Sequence, residues 1–311
     1  MYQLKQIPQD FIVKEINNLR FSETGQYSYY LLKKTNYNTI DAIKKISEYW
    51  NIDDKFFNFA GTKDKVAVTE QYISISKGPK KDLSLKDIEL NFLGCGVERL
   101  NLGALIGNYF EITVRNIESQ PKKKELFLNL FDSQRFGRND DNHVVGKFIL
   151  KGKFKEACEL IDETKAFLEK TPNNFVGALR LIPKKTLKMY VHAYQSFLWN
   201  KVALEIKDKV DKTSKLELIG FGTKFSNSDV KKIYEKIMVE EGITFRDFIN
   251  RSIPELSEEG TTRDLFVKTS DLSIGEITDD ELNIDKKKVL ITFSLPPGAY
   301  ATNVIKELFK E

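Results

Sequence analysis

Strand texture marks four stretches of the chain, and in 109–115 apolar and polar positions alternate with a period of two. Residues 10–16 (DFIVKEI), 27–34 (YSYYLLKK), 109–115 (YFEITVR) and 288–295 (KVLITFSL) are also rich in aromatic and β-branched residues. Each predicts a strand with one face buried. The segment 56–76 (FFNFAGTKDKVAVTEQYISIS) reads as strand, polar loop, strand, with the loop at Gly61–Lys65. Elsewhere the spacing is helical. Thr39 is placed to cap a helix reaching Trp50, with Ile40, Ile43, Ile46 and Trp50 as its apolar stripe. Pro121 suits the start of a helix over Lys122–Phe131. From about residue 151 longer helical patterns take over, at 153–170, 187–208 and 226–241, the last opening after the cap cluster Ser226-Asn227-Ser228-Asp229. Residues 171–185, with Pro172 and Pro183, read as a surface loop. A last helix over about 299–310 follows Pro296-Pro297-Gly298. Strand texture at both ends with helical texture between them predicts a body built from both chain ends, interrupted by an insertion.

Composition narrows the chemistry. Hydrophobic residues at 41% of 311 are ample for a packed core. The formal charge of +4, from 49 basic against 45 acidic residues, is too balanced to argue by itself for nucleic acid. Cys95 and Cys158 lie far apart and there are only two histidines, so neither a structural zinc site nor a disulfide framework is expected. No apolar run approaches 18 residues, and the opening MYQLKQIPQDFIVKEINNLR lacks the apolar core of a leader. A soluble, cytoplasmic protein is expected. Glycines 94, 96, 103 and 107 miss the dinucleotide fingerprint, since Arg99 stands where its third glycine belongs, and no P-loop is present. They read as turns between strands. No G-x-S-x-G elbow occurs, which leaves hydrolase triads unsupported.

Three groups of residues carry candidate chemistry. Gly61-Thr62-Lys63-Asp64-Lys65 sets one carboxylate between two ammonium groups, directly after an aromatic strand. Neighbouring cations favour the ionised carboxylate, as nucleophilic or proton-abstracting chemistry beside a phosphodiester requires; on spacing alone a solvated hairpin explains it better. Asn108-Tyr109-Phe110 pairs an amide with aromatics that suit base stacking and edge reading, or simply begins a buried strand. Gln134-Arg135-Phe136-Gly137-Arg138 holds two of only nine arginines. Such forks bind phosphate, although on spacing alone a structural pair of an arginine with Asp132 or Asp140 explains the motif better. His143, in a polar stretch, is a general-base candidate. His192, among Tyr190, Tyr194 and Phe197, reads as a packed structural residue.

Taken in order, six segments resemble the TruD family of tRNA pseudouridine synthases. They are Lys5 with Asp10-Phe11-Ile12-Val13, FAGTKDKVAVTEQ at 59–71, LGALIGNYFEITVR at 102–115, QRFGRNDDNHVVGK at 134–147, HAYQSFLWN at 192–200 and LPPGAYATNVIKEL at 295–308. The resemblance implies an α+β fold: a catalytic domain with a central mixed, mainly antiparallel sheet flanked by helices, plus a family-specific α/β insertion. The catalytic domain is expected over 1–149 and 263–311, and the insertion over 150–262. Asp64 matches the catalytic aspartate. Lys5, Asn108 and Phe110 match substrate-binding residues, Phe110 as the aromatic that stacks on the target base. Lys63, Thr69, Gln71 and Arg135 fall in support positions. The implied reaction isomerises a uridine in tRNA, commonly uridine 13, with base flipping and with no cofactor or metal, by a monomer. A non-catalytic RNA-binding or RNA-chaperone protein on the same scaffold is the competing class. The insertion looks short against relatives.

Overall fold

A computed structural model describes residues 2–310. The chain divides into two compact units, one comprising residues up to Phe127 together with those from Lys268 onward, the other Leu128–Val267. The first unit opens with β1 (Phe11–Ile16), β2 (Tyr27–Thr35), α1 (Thr39–Trp50), β3 (Phe57–Phe59), β4 (Val68–Ser76), β5 (Leu83–Leu85), β6 (Ile88–Gly96), β7 (Gly107–Ile117) and β8 (Leu126–Leu128). The second unit carries α2 (Ser133–Phe136), α3 (Asn142–Leu150), α4 (Phe154–Glu159), α5 (Lys165–Lys170), α6 (Phe175–Arg180) and α7 (Lys184–Ile206). It continues with β9 (Lys215–Leu218), α8 (Ser228–Glu241), β10 (Thr261–Asp264) and the start of β11 (Phe266–Lys268). The chain then completes the first unit with β12 (Ser270–Ile274), β13 (Thr278–Asp279), β14 (Lys287–Leu295) and α9 (Ala301–Leu308).

The first unit is a ten-stranded mixed sheet in the order β12-β14-β7-β1-β4-β2-β6-β5, with β13 on β14 and β3 on β4. The β1–β4 pair is parallel, whereas the other strands along this order pair antiparallel. Directly paired residues share a face. The register Thr69–Val13–Phe110–Phe293 therefore places Glu15, Phe110, Asn108, Thr69, Gln71 and Lys34 on one face. That face is the buried one. Ala42, Ile43 and Ile46 of α1 cover it by packing with Tyr30, Leu32, Ile73, Ile75 and Leu90. Burial of each such aliphatic side chain contributes about 1.5–3 kcal/mol.

The second unit is mainly helical, with one small sheet of β9 and β10. Its centre is α7, buried on every side through Ala193-Tyr194-Gln195-Ser196. Trp199 donates from its indole to the Leu216 carbonyl at 3.2 Å. At Gly146 of α3 an added Cβ would meet the Tyr190 carbonyl oxygen at 2.0 Å, so glycine alone lets α3 lie this close to α7. This packing draws α3 into the same compact unit as α7.

Four local expectations are corrected. Residues 122–131 are not helical: Leu126–Leu128 is a strand with Phe127 and Leu128 buried, and the backbone before it is tied by the Lys122 N–H to the Leu308 carbonyl and by the Glu125 carbonyl to the Thr269 N–H rather than into a helical ladder. The stretch 153–170 is broken where Thr164 Oγ1 donates to the Cys158 and Ile161 carbonyls, which ends α4 and turns the chain into α5. Within 171–185, Asn174 accepts from the Gly177 N–H and caps α6, a helix the two prolines concealed. The stripe on α1 is Ala42, Ile43 and Ile46, since Ile40 is 42% exposed. Among the described residues no helix is long and apolar enough to cross a membrane.

Candidate active site

The loop between β3 and β4 is clamped by a relay of hydrogen bonds. Gln71, buried on β4, donates from Nε2 to the Gly61 carbonyl at 3.0 Å. Its Oε1 accepts from Thr39 Oγ1 at 2.7 Å, and that hydroxyl oxygen accepts from the Lys63 N–H at 2.8 Å. Buried polar groups that are all paired specify one geometry, because any other arrangement strands a donor or acceptor away from water. Thr39 is available for this because Asn38, not Thr39, caps α1 by accepting from the Asp41 N–H.

Asp64 sits in this loop with its side chain 40% exposed. Its Oδ2 accepts from Lys5 Nζ at 2.7 Å, a charge-assisted bond. The Lys5 ammonium also lies 4.1 Å from the centre of the Phe11 ring, and its backbone is left-handed at φ 57°. That conformation is uncommon for a lysine. It is sustained by flanking anchors on β7. Gln3 and Arg115 exchange both backbone hydrogen bonds, at 2.8 and 3.0 Å. Arg115 Nε donates to Asp10 Oδ1 at 2.8 Å, while Asp10 Oδ2 accepts from the Ile7 N–H. The same guanidinium donates to Asp280 at 2.7 Å and to Glu281 at 3.1 Å.

Two more lysines lie near the loop. Lys34 is 1% exposed on β2 and donates to the Tyr37 carbonyl and, at 3.0 Å, to the Asp64 carbonyl. Burial pushes its ammonium down to about 8 against the pull of the Asp64 carboxylate, with Lys63 adding to the push. Lys63 Nζ donates to Asn108 Oδ1 at 2.6 Å and stands 3.4 Å from Oε2 of Glu15, whose side chain is wholly buried. Burial raises the Glu15 carboxyl and lowers the Lys63 ammonium, while their mutual attraction opposes both shifts.

Glu15 and Asn108 are cross-strand partners on β1 and β7. At Gly107 an added Cβ would meet the Leu295 carbonyl oxygen at 2.5 Å, so glycine is what allows β7 to approach β14 just before Asn108. Phe110 is 7% exposed, in edge contact with Phe11 at 6.1 Å and tilted against Phe293 at 5.5 Å. It forms one ring of an aromatic stack set into the sheet. The assembled group can present a carboxylate beside an ammonium and an amide, with Phe110 buried on the same sheet face.

The family model of tRNA pseudouridine synthase D (TruD) matches residues 2–165, 163–216 and 203–308. The chain belongs to the TruD family. It is 31% identical to the tRNA pseudouridine synthase D of Aquifex aeolicus, over 99% of this chain and 98% of that one. It is 30% identical to a Nanoarchaeum equitans protein named "Probable tRNA pseudouridine synthase D", over 99% of both. The crystal structure of a Methanosarcina mazei protein described as a TruD superimposes with a TM-score of 0.77 at 28% identity, covering 99% of this chain and 93% of that one. The Aquifex alignment spans 385 positions against 311 residues here, so this TruD chain lacks segments its relative carries. The joins between the three matched pieces fall at 163–165 and 203–216, inside the helical unit.

Of the positions the TruD resemblance singled out, the structure brings Lys5, Lys63, Asp64, Gln71 and Asn108 into one bonded group. Phe110 lies on the same sheet face. Thr69 does not join the relay: it is fully buried, and its hydroxyl has no hydrogen-bond partner among the described residues. Arg135 belongs to the helical unit, where its guanidinium lies 5.2 Å from the centre of the Phe131 ring and its Nε is buried without a partner. The two histidines exchange their expected characters. His143 lies on α3, stacked on Phe197 at 4.5 Å, and burial lowers its pKa. His192 is 41% exposed at the side chain and stands 3.3 Å from Glu258.

Sequence reasoning missed Lys34, Glu15, Thr39 and Arg115. Charges at strand ends normally face water, and residue type alone does not mark Lys34 or Glu15 as buried. The usable signal was phase: both fall on the buried parity of their strands, in step with Tyr30 and Leu32 or with Phe11 and Val13. No group of three or more His, Cys, Asp or Glu is placed to hold a metal among the described residues.

Proposed function

We propose that this TruD-family chain converts a uridine in tRNA, uridine 13 by resemblance, to pseudouridine, with Asp64 as the catalytic carboxylate. The observation that carries the reading is the Lys5–Asp64 bond of 2.7 Å on a loop clamped through Thr39 and Gln71. One carboxylate oxygen is held by the ammonium, in a part of the protein open enough to meet a nucleotide.

The reaction breaks the N1–C1′ bond, turns the base and joins C5 to C1′. N1 gains a proton and C5 gives one up, so the product is an isomer and no electrons are exchanged. The target nucleotide leaves its stack at a cost of a few kcal/mol, offset by contacts to the flipped base. Phe110, seated between Phe11 and Phe293, gives the base an aromatic surface, and Asn108 meets its polar edge. Asp64 acts either by attack on C1′ or by removing the 2′ proton to give a glycal. In both routes Lys5 holds and aims the carboxylate.

Asp64→Asn preserves the side-chain shape while removing the charge. The variant is expected to fold and bind tRNA but to release no tritium from tRNA carrying 5-tritiated uridine. Turnover by that variant above background would reject Asp64 as the catalytic group.

A further inference from the structure

Asn108 is held in one sense. A carboxamide has an acceptor at one end and donors at the other, whereas a lysine ammonium has three donors and no acceptor. Since Lys63 Nζ stands 2.6 Å from the Asn108 amide, the end facing it must be Oδ1. The acceptor is thereby occupied. Nδ2 is left to donate elsewhere, and it has no partner among the described residues.

Lys63 is in turn fixed from below. Glu15 Oε2, on the strand position directly opposite Asn108, lies 3.4 Å from Nζ and makes no hydrogen bond among the described residues. Its counter-charge is the Lys63 ammonium, whose own side chain is only 8% exposed. Either member left alone would be a stranded buried charge, so the two stay together. The Lys63 backbone N–H is held separately by Thr39. The ammonium therefore has a fixed origin and a fixed direction, and Asn108 inherits both.

We infer that the Glu15–Lys63 pair is a positioning device that locks Asn108 as a hydrogen-bond donor, and that this donor selects uracil over cytosine at the target position. The inference rests on the reading of this site as the one that takes a flipped pyrimidine. Uracil carries a carbonyl acceptor at C4, where cytosine carries an amino donor. A locked donor at that edge pairs with uracil and faces a second donor on cytosine. An amide free to turn over would satisfy either base. Leaving a desolvated donor unpaired is costly enough to disfavour cytosine by about tenfold or more.

The test is competition binding to unmodified tRNA transcripts that carry either uridine or cytidine at the mapped target position. It uses full-length protein with Asp64→Asn so that bound uridine is not consumed. The uridine transcript is expected to win by about tenfold or more. In the further variant Glu15→Gln/Lys63→Met, which removes both buried charges together, the two transcripts are expected to bind within about twofold of each other as the amide turns freely. Lys63→Arg, which keeps donors on Oδ1, should retain the preference. Asn108→Asp offers Lys63 one oxygen and the base a second acceptor, so the preference should fall below parity toward cytidine. That last variant leaves the pair intact and decides the matter even if the double variant does not fold. Loss of affinity with an unchanged uridine-to-cytidine ratio in the folded variants would overturn the inference and leave a structural role. If the protein with Asp64 intact forms no pseudouridine in tRNA, the functional reading itself fails and the inference falls with it. If it does form pseudouridine while the ratio never moves, the inference alone is rejected.

Discussion

Two short charged motifs, GTKDK in the sheet unit and QRFGR in the helical unit, are held by different kinds of force. The first is caught by directional bonds: Gln71 on the Gly61 carbonyl, Thr39 on the Lys63 N–H, Lys34 on the Asp64 carbonyl and Lys5 on its carboxylate. The second is built around a ring. Arg135 and Arg263 place their guanidinium groups 5.2 and 4.1 Å from the centre of Phe131, and Trp199 meets that ring edge-on. Arg263 alone adds a fork, onto the Asn129 carbonyl and, at 2.6 Å, its side-chain oxygen. Attraction to a ring face falls off slowly with angle, whereas a hydrogen bond weakens steeply. Chemistry at a single carbon needs reacting atoms held to a fraction of an ångström, which directional bonds supply. The contrast predicts that damage to the sheet unit is steep and specific, and damage to the aromatic cluster shallow.

The sharpest way to break that contrast is at Arg115. Its guanidinium is 4% exposed and ties Asp10, next to the arm that carries Lys5, to Asp280 and Glu281 beyond β13. Arg115→Ala strands Asp10 and Asp280 as buried carboxylates and is expected to cost about 3–5 kcal/mol in urea unfolding. A loss under about 1 kcal/mol would show that the network behaves like a surface pair. Burial works to raise the Asp280 carboxyl, but bonds from Asn283, the Asn116 and Leu282 N–H groups and Arg115 together hold it down to about 2. Its folded value is depressed, so its stabilisation is complete above the ordinary carboxylate range and is lost as pH falls through about 2.

Arg115 also shows where reading the chain reached and where it stopped. The strands at 11–16, 27–35, 107–117 and 287–295 were legible because their aromatic and β-branched residues suit a half-buried strand, and over 109–115 alternation records the buried face directly. Asp64, Lys5 and Asn108 were legible only through the family pattern, since their charges and amide would suit a solvated turn equally well. What stayed hidden depends on distant partners. Lys34 is buried by a loop 30 positions on and Arg115 by residues 165 positions on. The helix placed over 122–131 failed for the same reason. Glu125 is engaged by the Thr269 N–H and Lys122 by the Leu308 carbonyl, and no local period encodes either bond.

A middle-sized effect separates the units by pH. Lys34 has a folded value lowered to about 8, so between there and about 10.5 the unfolded chain binds more protons and stability rises with pH. Lys34→Met, with no proton to lose, should miss that rise: the protein with Lys34 intact gains on it as pH climbs through this window. In the helical unit the lowered value of His143 acts at the other end, with stability falling as pH drops through the ordinary imidazole range near 6.5. His143→Phe, which keeps a ring against Phe197, should flatten that acid slope and leave the alkaline one alone. Chemical denaturation of both variants across pH reads the two windows independently. If either variant moves the other's window, the proposed assignment of titrations to units is wrong.

The smallest expected effect probes the aromatic cluster. Arg135 offers Phe131 a cation at 5.2 Å, an arrangement that contributes about 0.5–1 kcal/mol where water reaches it. Its buried Nε makes no hydrogen bond, and that desolvated donor subtracts from the gain. Arg135→Gln keeps a polar group of similar reach while removing the charge, and should lower the melting temperature by about 3 °C or less. Arg263→Gln should cost more, because it also leaves Asn129 Oδ1 without its 2.6 Å donor. The excess at Arg263 measures the one fork in a cluster otherwise built around the ring, and equal losses would show that the fork adds nothing. A loss at Arg135 as large as that at Arg115 would mean that the aromatic cluster is as directional as the loop, and the contrast between the two motifs would disappear.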